Sequence, residues 1–293
     1  MRRGAIHVLI TWGFGAFAMQ NIGISLVAAS VLALSGTANA ASHETAAVQK
    51  VVRQINVAGE LPKGCDASTA IIDEFAPFAW SNWTEWLDAL GKYNTANAIT
   101  GQKLGRVKFR HVNIDGDHAY VVTSGLITYR QSGHAHSERG METLALEKGA
   151  SGWCPKSSIW LGKTGADAGA EASAIGDVVT TFASLKPDSA PPPTAITDEF
   201  PPYTWQGANA AADWHAGLEK MIAVEHGSES DLVLTPGKPV TLSVNGNKAY
   251  GVYPTVIHFK NNGKTEVEHG TFAFAFEKSG GAWHIGSWAW ATD

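Results

Sequence analysis

The 293-residue sequence has no nucleophile elbow, no phosphate-binding glycine loop, no dinucleotide fingerprint and no Cys-x-x-Cys pair. Each of those motifs supplies backbone amides, a nucleophile or a thiolate pair that its chemistry requires, so the enzyme classes built on them are disfavoured and no cofactor is implied. Cysteine is scarce, with Cys65 and Cys154 alone. Basic residues number 22 against 27 acidic ones, a formal net charge of −5. A surface of that sign argues against nucleic acid and anionic membranes as partners.

Acid is absent from the first forty residues, where Arg2 and Arg3 precede an apolar run densest from Ile22 to Leu34. The run exits through Thr37-Ala38-Asn39-Ala40, with small residues at the −3 and −1 positions of an export-peptidase site. That layout predicts a secretory signal over 1–40, cleaved after Ala40, and a periplasmic mature chain without a membrane partner. An uncleaved membrane anchor is the alternative, since the uncharged run is long enough to span. Met19 is a second possible start. Removing Arg2 and Arg3 takes the net charge from −5 to −7. In an oxidising compartment Cys65 and Cys154 form a disulfide or stay as two buried thiols, and sequence cannot measure their separation.

What the chain does contain is a duplication. Ala-Ile-Ile-Asp-Glu-Phe-Ala-Pro-Phe-Ala-Trp runs from Ala70 to Trp80, and Ala-Ile-Thr-Asp-Glu-Phe-Pro-Pro-Tyr-Thr-Trp from Ala195 to Trp205. A repeat at so long a spacing is a duplicated domain rather than a short motif. The reading is a first domain over 41–163, a linker over 164–172 rich in Ala, Gly and Asp, and a second domain over 173–293.

Each copy opens with a helix. Val48, Val51, Val52 and Ile55 make one apolar stripe, and Ile175, Val178, Val179 and Phe182 repeat it. Leu61–Thr69 and Lys186–Thr194 read as loops or short degenerate helices. The repeated stretch begins as a short strand whose proline ends regular pairing. A second helix follows, striped by Trp83, Trp86, Leu87 and Leu90 in one copy and by Trp214, Leu218, Met221 and Ile222 in the other. Hairpin signals at Asp115-Gly116 and Asn245-Gly246, with later turns at Ser132-Gly133, Gly149–Gly152, Asn262-Gly263 and Ser279–Gly281, then give four antiparallel strands per copy. The order predicts an α+β fold: two copies of a helix-capped, strongly curved antiparallel sheet, each enclosing a cone-shaped hollow.

The Ile-x-Asp-Glu-Phe-x-Pro-aromatic-x-Trp stretch, the DG or NG hairpin before Ala-Tyr, and the closing Gly-x-x-Trp strand resemble SnoaL-like proteins of the nuclear transport factor 2-like superfamily. The resemblance covers both copies. It implies the cone fold and pairing of copies through their sheets, hence an intramolecular pseudo-dimer. It also implies a spread of functions, from isomerases, cyclases and dehydratases to inert binding modules. In the superfamily's ketosteroid isomerases the general base lies on the strand before the proline, which matches Asp73-Glu74 and Asp198-Glu199, although the isomerase's Asp-Pro adjacency is missing here.

Strand alternation sorts the remaining candidates. Successive residues face opposite sides, so one acid of each Asp-Glu pair is expected to point inward. Leu144, Leu146, Phe274 and Phe276 mark the core face of the third strand, which places Glu138 and Glu142 on it in the first copy and Glu268 and Phe272 in the second. A bulge at Gly140 or Gly270 would flip the outermost of these. A carboxylate in an apolar hollow has a raised pKa and can move a proton, as in the isomerases that exemplify this principle. The other reading of all these acids is capping or salt bridging. His134, His136 and Glu138 alternate on one face, but ligands from one strand make a poor zinc site, so no metal is assigned. His284, Trp288 and Trp290 share a face as an aromatic wall with a polar handle, matched by Cys154, Ser158 and Trp160. Trp80, Tyr120, Trp205 and Tyr250 complete the candidate ligand contacts. The expectation is an exported protein that binds a small apolar or aromatic molecule in one or both cones; proton-transfer catalysis and a structural module with filled cones are the alternatives.

Overall fold

The computed structural model describes residues 33–185, 190–221, 232–261 and 263–293. Most of the expected signal, residues 186–189 of the expected loop, Ile222 of the second helix stripe and the turn residue Asn262 lie outside the described residues. Residues 1–40 and 41–293 form separate units. Among the described residues no helix is long and apolar enough to cross a membrane.

Two sheets make up the larger unit. In the first, β1 (Ser68–Ile72), β2 (Ala79–Asn82), β3 (Ile99–Leu104), β4 (Lys108–Asp115), β5 (His118–Gln131), β6 (His134–Gly149) and β7 (Gly152–Gly162) are ordered β2-β1-β7-β6-β5-β3, with β4 also on β5. In the second, β8 (Gly165–Asp167), β9 (Ala195–Thr197), β10 (Thr204–Gln206), β11 (Val233–Pro236), β12 (Thr241–Asn245), β13 (Lys248–Asn261), β14 (Lys264–Ser279) and β15 (Ala282–Thr292) are ordered β10-β9-β15-β14-β13-β12-β8, with β11 on β13. The segment read as a linker is thus not structureless: β8 adds a parallel edge strand to β12, and a 3-10 turn follows at Gly169–Glu171.

One face of each sheet is covered by helices. The stripe Val48, Val52 and Ile55 of α1 (Ala33–Ala58) buries completely or nearly so against Val121, Leu144 and Leu146. Gly59, at positive φ, closes α1 by donating its N–H to the Ile55 carbonyl, the usual left-handed ending that glycine permits. Ile175 and Val179 of α3 (Ala172–Ala183) repeat the packing in the second copy. The Asn82 side chain accepts from the Thr84 and Glu85 amides and so starts α2 (Trp83–Ala96) directly from β2, a cap worth about 1 kcal/mol. Leu87, read as part of the α2 stripe, is exposed. Its counterpart α4 spans Ala210–Met221. An acid–lysine–tryptophan triad fastens the start of each copy to its last hairpin: Glu44 of α1 accepts from Lys148 and Trp153, and Glu171, just before α3, from Lys278 and Trp283.

The repeated stretch departs from expectation. Its strand does run parallel to the closing strand of its own copy. Pairing does not end at the proline, however: the chain reverses and pairs back antiparallel as β2 and β10. The prolines sit inside the reversal, after cis bonds Ala76–Pro77 and Pro201–Pro202, so they interrupt no ladder. Hydrogen bonds between residues 73 and 78, and between 198 and 203, close each turn. Phe78 and Tyr203 adopt φ of 73° and 70°, a conformation that costs a bulky residue about 1–3 kcal/mol. Both rings are 3% exposed, and burying one aromatic returns a similar amount.

What they pack against is the other copy. Alternate strand residues turned away from the helices, among them Tyr120, Val122 and Met141 from one sheet and Tyr250, Val252 and Ala273 from the other, share one buried cluster with Phe78 and Tyr203. Phe78 stacks on Tyr250 and Tyr203 lies on Tyr120, with ring centres 6.2 and 5.8 Å apart. The Tyr120 hydroxyl donates to the Trp290 carbonyl at 3.0 Å, and Tyr250 to the Trp160 carbonyl at 2.6 Å. Cys65 and Cys154 form a disulfide, with Cα atoms 5.5 Å apart, joining the loop after α1 to β7.

Candidate functional site

The β6 ladder runs through Gly140 without a register shift, so Glu138 and Glu142 keep the inward face. Glycine is needed at that point because the Trp160 indole lies over it: a methyl group there would meet ring atoms at 2.4 Å. Gly270 and Trp290 repeat the arrangement, also at 2.4 Å. The irregularities fall instead in β7 and β15, before Ser157 and Ser287. As a result Trp288 and Trp290 face inward opposite Phe274 and Phe272, whereas His284 turns to the other face beside Glu277, 4.0 Å away. The expected shared face of His284, Trp288 and Trp290 is therefore broken, and Cys154 is parted from Ser158 and Trp160 by the same device.

Inside the first cone two carboxyl groups come together. Asp73 accepts from the Trp86 indole at 2.9 Å and from the Glu74 amide at 2.8 Å. Glu142 accepts from the Ser158 hydroxyl at 2.9 Å. Burial raises Asp73 to about 6, against the pull of those two donors. It raises Glu142 to about 7; the Asn56 amide and Ser158 hydroxyl lower it in part, and the charge of Asp73 pushes it up. Asn56 is near enough to be felt, yet its Nδ2 and Glu142 Oε2 are both buried with no hydrogen bond completed. Unpaired buried polar atoms cost about 1–3 kcal/mol each.

At the end of β6 a second acid pair forms from Glu74 and Glu138, where the expectation was that one acid of Asp73-Glu74 would face away. The chain bends after Ile72, so strand alternation no longer applies and both acids turn in. A methyl group on Gly162 would lie 2.3 Å from Glu138 Oε1, 2.5 Å from Glu74 Oε2 and 2.8 Å from Trp160 Nε1. The absence of a side chain there lets the three groups meet. The Trp160 indole donates to Glu138 at 2.9 Å. Burial first, then the charge of Glu138, keeps Glu74 protonated well above the usual carboxylate range, so that Glu74 is the donor and Glu138 the acceptor between the two acids. Tyr93 and Tyr129 stand near enough for these carboxylates to raise their phenols, after burial.

The second copy keeps the outer part of this site and loses the inner part. Asp198 accepts from Trp214 and from the Glu199 amide, both at 2.8 Å, and burial raises it to about 6. Glu199 pairs with Glu268, which accepts from Trp290 at 3.0 Å, and is likewise pushed up by burial and then by Glu268. Deeper in, Phe272 and Trp288 stand where the first copy has Glu142 and Ser158. They pack with Phe182, Phe274 and Trp214 through ring contacts of 5.2–5.6 Å.

Several candidate contacts prove to be packing residues. Tyr120 and Tyr250 are fully buried between the sheets, because their position in the strands turns them away from the cones. Trp205 packs at a tilt on Phe200, and Trp288 and Trp290 fill the second cone. Trp80 packs at a tilt on Phe75 and lines a 330 Å³ groove between the copies. Among the described residues no three His, Cys, Asp or Glu side chains gather for a metal ion; His134 and His136 are exposed, with His136 stacked on Tyr129. Sequence reasoning missed Asn56, Gly162 and Thr123, whose hydroxyl also lowers Glu142. Asn56 had a legible signal: it continues the Val48–Val52 spacing, so a polar residue sits in the register of the apolar stripe.

Fold and site together define an α+β protein of two helix-capped sheets, one cone lined by acids and the other filled by rings. No family model and no curated protein matches the sequence. Similar solved structures include a nuclear transport factor 2-like superfamily protein from Salmonella enterica serovar Typhimurium, 14% identical over 46% of this chain and 98% of that one, with a TM-score of 0.33. A nuclear transport factor 2-like protein with a cystatin-like fold from Novosphingobium aromaticivorans is 12% identical over 46% and 90%, at 0.34. A cystatin-like domain from Nostoc punctiforme is 16% identical over 49% and 94%, at 0.30.

Proposed function

We propose that this chain is an exported small-molecule-binding protein whose first cone takes the ligand, while the second serves as a filled structural partner. One observation carries the reading. Glu142 Oε2 and Asn56 Nδ2 are buried and unpaired in the first cone, at positions where the second copy has Phe272 and Ala183. Neither atom is open to solvent, so a guest offering a donor to Glu142 and an acceptor to Asn56 enters by moving neighbouring side chains aside, while Ser158 and Trp86 hold the two carboxyls in place. The shared cluster between the sheets and its two tyrosine hydrogen bonds support an intramolecular pseudo-dimer. Export to the periplasm rests on the N-terminal forty residues, and the disulfide fits an oxidising compartment.

Native mass spectrometry of the chain purified from its own cell tests the reading. A retained small molecule is expected, and it should be depleted in Glu142→Gln. A wild-type chain that carries no extra mass and gains none from a metabolite extract would sink it. A second reading, proton transfer on the bound molecule, is favoured by Glu142 at about 7 beside Asp73 at about 6, since a base works best when its pKa lies near the working pH. Turnover that rises through that pH range and disappears in Glu142→Gln without loss of binding separates catalysis from binding.

A further inference from the structure

Helices cover one side of each sheet, and on the other side the two copies differ. Residues directly opposite across a strand ladder point the same way. The side of the first sheet that carries Tyr120, Val122 and Met141 into the cluster between the copies therefore runs on past it with Arg130 on β5, Arg139 on β6, Lys108 on β4 and Lys103 on β3. Arg110 joins them by donating to the Ser124 hydroxyl at 3.3 Å, and Lys163 stands beside Arg139, to whose carbonyl its N–H donates. All of these cations are exposed, and none forms an ion pair among the described residues. At the matching positions the second copy keeps Lys238 and Lys260 but has Val233, Val240, His269 and Asp293 in place of Lys103, Arg110, Arg139 and Lys163. The basic face belongs to the first copy.

We propose that this face docks the protein onto a membrane surface of anionic phospholipid headgroups. Its charges extend in two dimensions. Lys163 and Lys108 stand three strands apart, about 15 Å, and Arg130 lies about 20 Å along β5 from the level of Lys108. A sheet of headgroups meets such a spread at once. A single strand of nucleic acid needs aromatic platforms for its bases, and beyond the buried cluster β5 and β6 carry none on this side. The net charge points the other way, but it averages over the whole surface. Exposed charges further than about 8 Å from a membrane are largely screened at physiological salt, so the near face decides. The acids on that face, Asp115 and Glu147, lie at the far end of their strands, and Asp293 borders it with its carbonyl 2.9 Å from His111 Nε2. Docking also brings the bilayer close to the acid end of the first cone, since Glu138 adjoins Arg139 on the reverse of β6.

The test sediments the chain from Ala41 onward, the larger compact unit and free of the apolar run, with phosphatidylcholine vesicles that contain about a quarter phosphatidylglycerol or none. Saturable binding is expected only where phosphatidylglycerol is present, and it should disappear at about 0.5 M salt. Each Lys or Arg at an anionic surface strengthens binding about fivefold, so Lys108→Gln with Arg139→Gln should weaken it about 25-fold. Lys50→Gln with Lys92→Gln makes the same change in net charge on α1 and α2, and should bind as wild type does. Thermal melts confirm that both variants fold. Absent or equal binding to the two kinds of vesicle, an equal loss in both double variants, or binding to soluble heparin without binding to vesicles overturns the proposal.

Discussion

Glu142→Gln offers the sharpest test of the buried acid in the first cone. The folded protein raises Glu142 from 4.5 to about 7, through burial above all. A carboxyl with a raised folded-state pKa binds its proton more tightly folded than unfolded. Its stabilising effect is therefore complete below about pH 4.5 and is lost as pH rises through about 7. At 1.36 kcal/mol per unit, the swing is about 3 kcal/mol. Asp73 and Asp198, each raised from 3.8 to about 6, tilt stability the same way in both proteins, so the difference between wild type and Glu142→Gln isolates the one group. Glu44 and Glu171 are lowered by their lysine and tryptophan partners, and they act below that window. Urea unfolding from about pH 4.5 to about pH 8 is the assay. The variant should gain about 3 kcal/mol relative to wild type across that range. A difference that stays constant with pH would refute the placement of Glu142 as a buried, strained acid.

Two further outcomes follow from the fold. Reducing the Cys65–Cys154 bridge, or replacing both residues by serine, frees a loop of 89 residues and should lower stability by up to about 4–5 kcal/mol, read from urea midpoints with and without reductant; an unchanged midpoint would show that the bridge restrains nothing in the unfolded chain. Tyr250→Phe removes a fully buried donor from the Trp160 carbonyl and should cost about 1–2 kcal/mol. Because that carbonyl belongs to the residue whose indole holds Glu138, hydrogen exchange should rise at the end of β7 as well as in β13, and exchange confined to β13 would refute the cross-copy linkage.

Much of the fold was legible because duplication writes each signal twice. The paired stripes of the first helices, the hairpin glycines and the inward register of β6 all depend on local periodicity, which a single chain displays openly. The same periodicity placed Glu138 and Glu142 on the core face of β6, and both lie at the candidate site. Alternation failed where the backbone ceases to be a regular strand. After Ile72 it bends, so Asp73 and Glu74 both turn inward. In β15 it shifts by one residue before Ser287, so His284 leaves the face of the tryptophans. Which face of a strand meets the other copy is also not a local property, and Tyr120 and Tyr250 were misread as ligand contacts for that reason.

The sequence by itself determined the two copies, their α+β order and the contrast between Glu142 and Phe272, since these are matters of composition and spacing along one chain. Only the tertiary structure decided what those residues mean. Folding brings Asn56 from a helix, Ser158 from the last strand and Asp73 from the bend to one buried acid. It also leaves Gly162 bare so that two carboxyls and an indole can share a single point. Burial and proximity between segments far apart in the chain set the charge of these groups, and no pattern along the chain encodes either one directly.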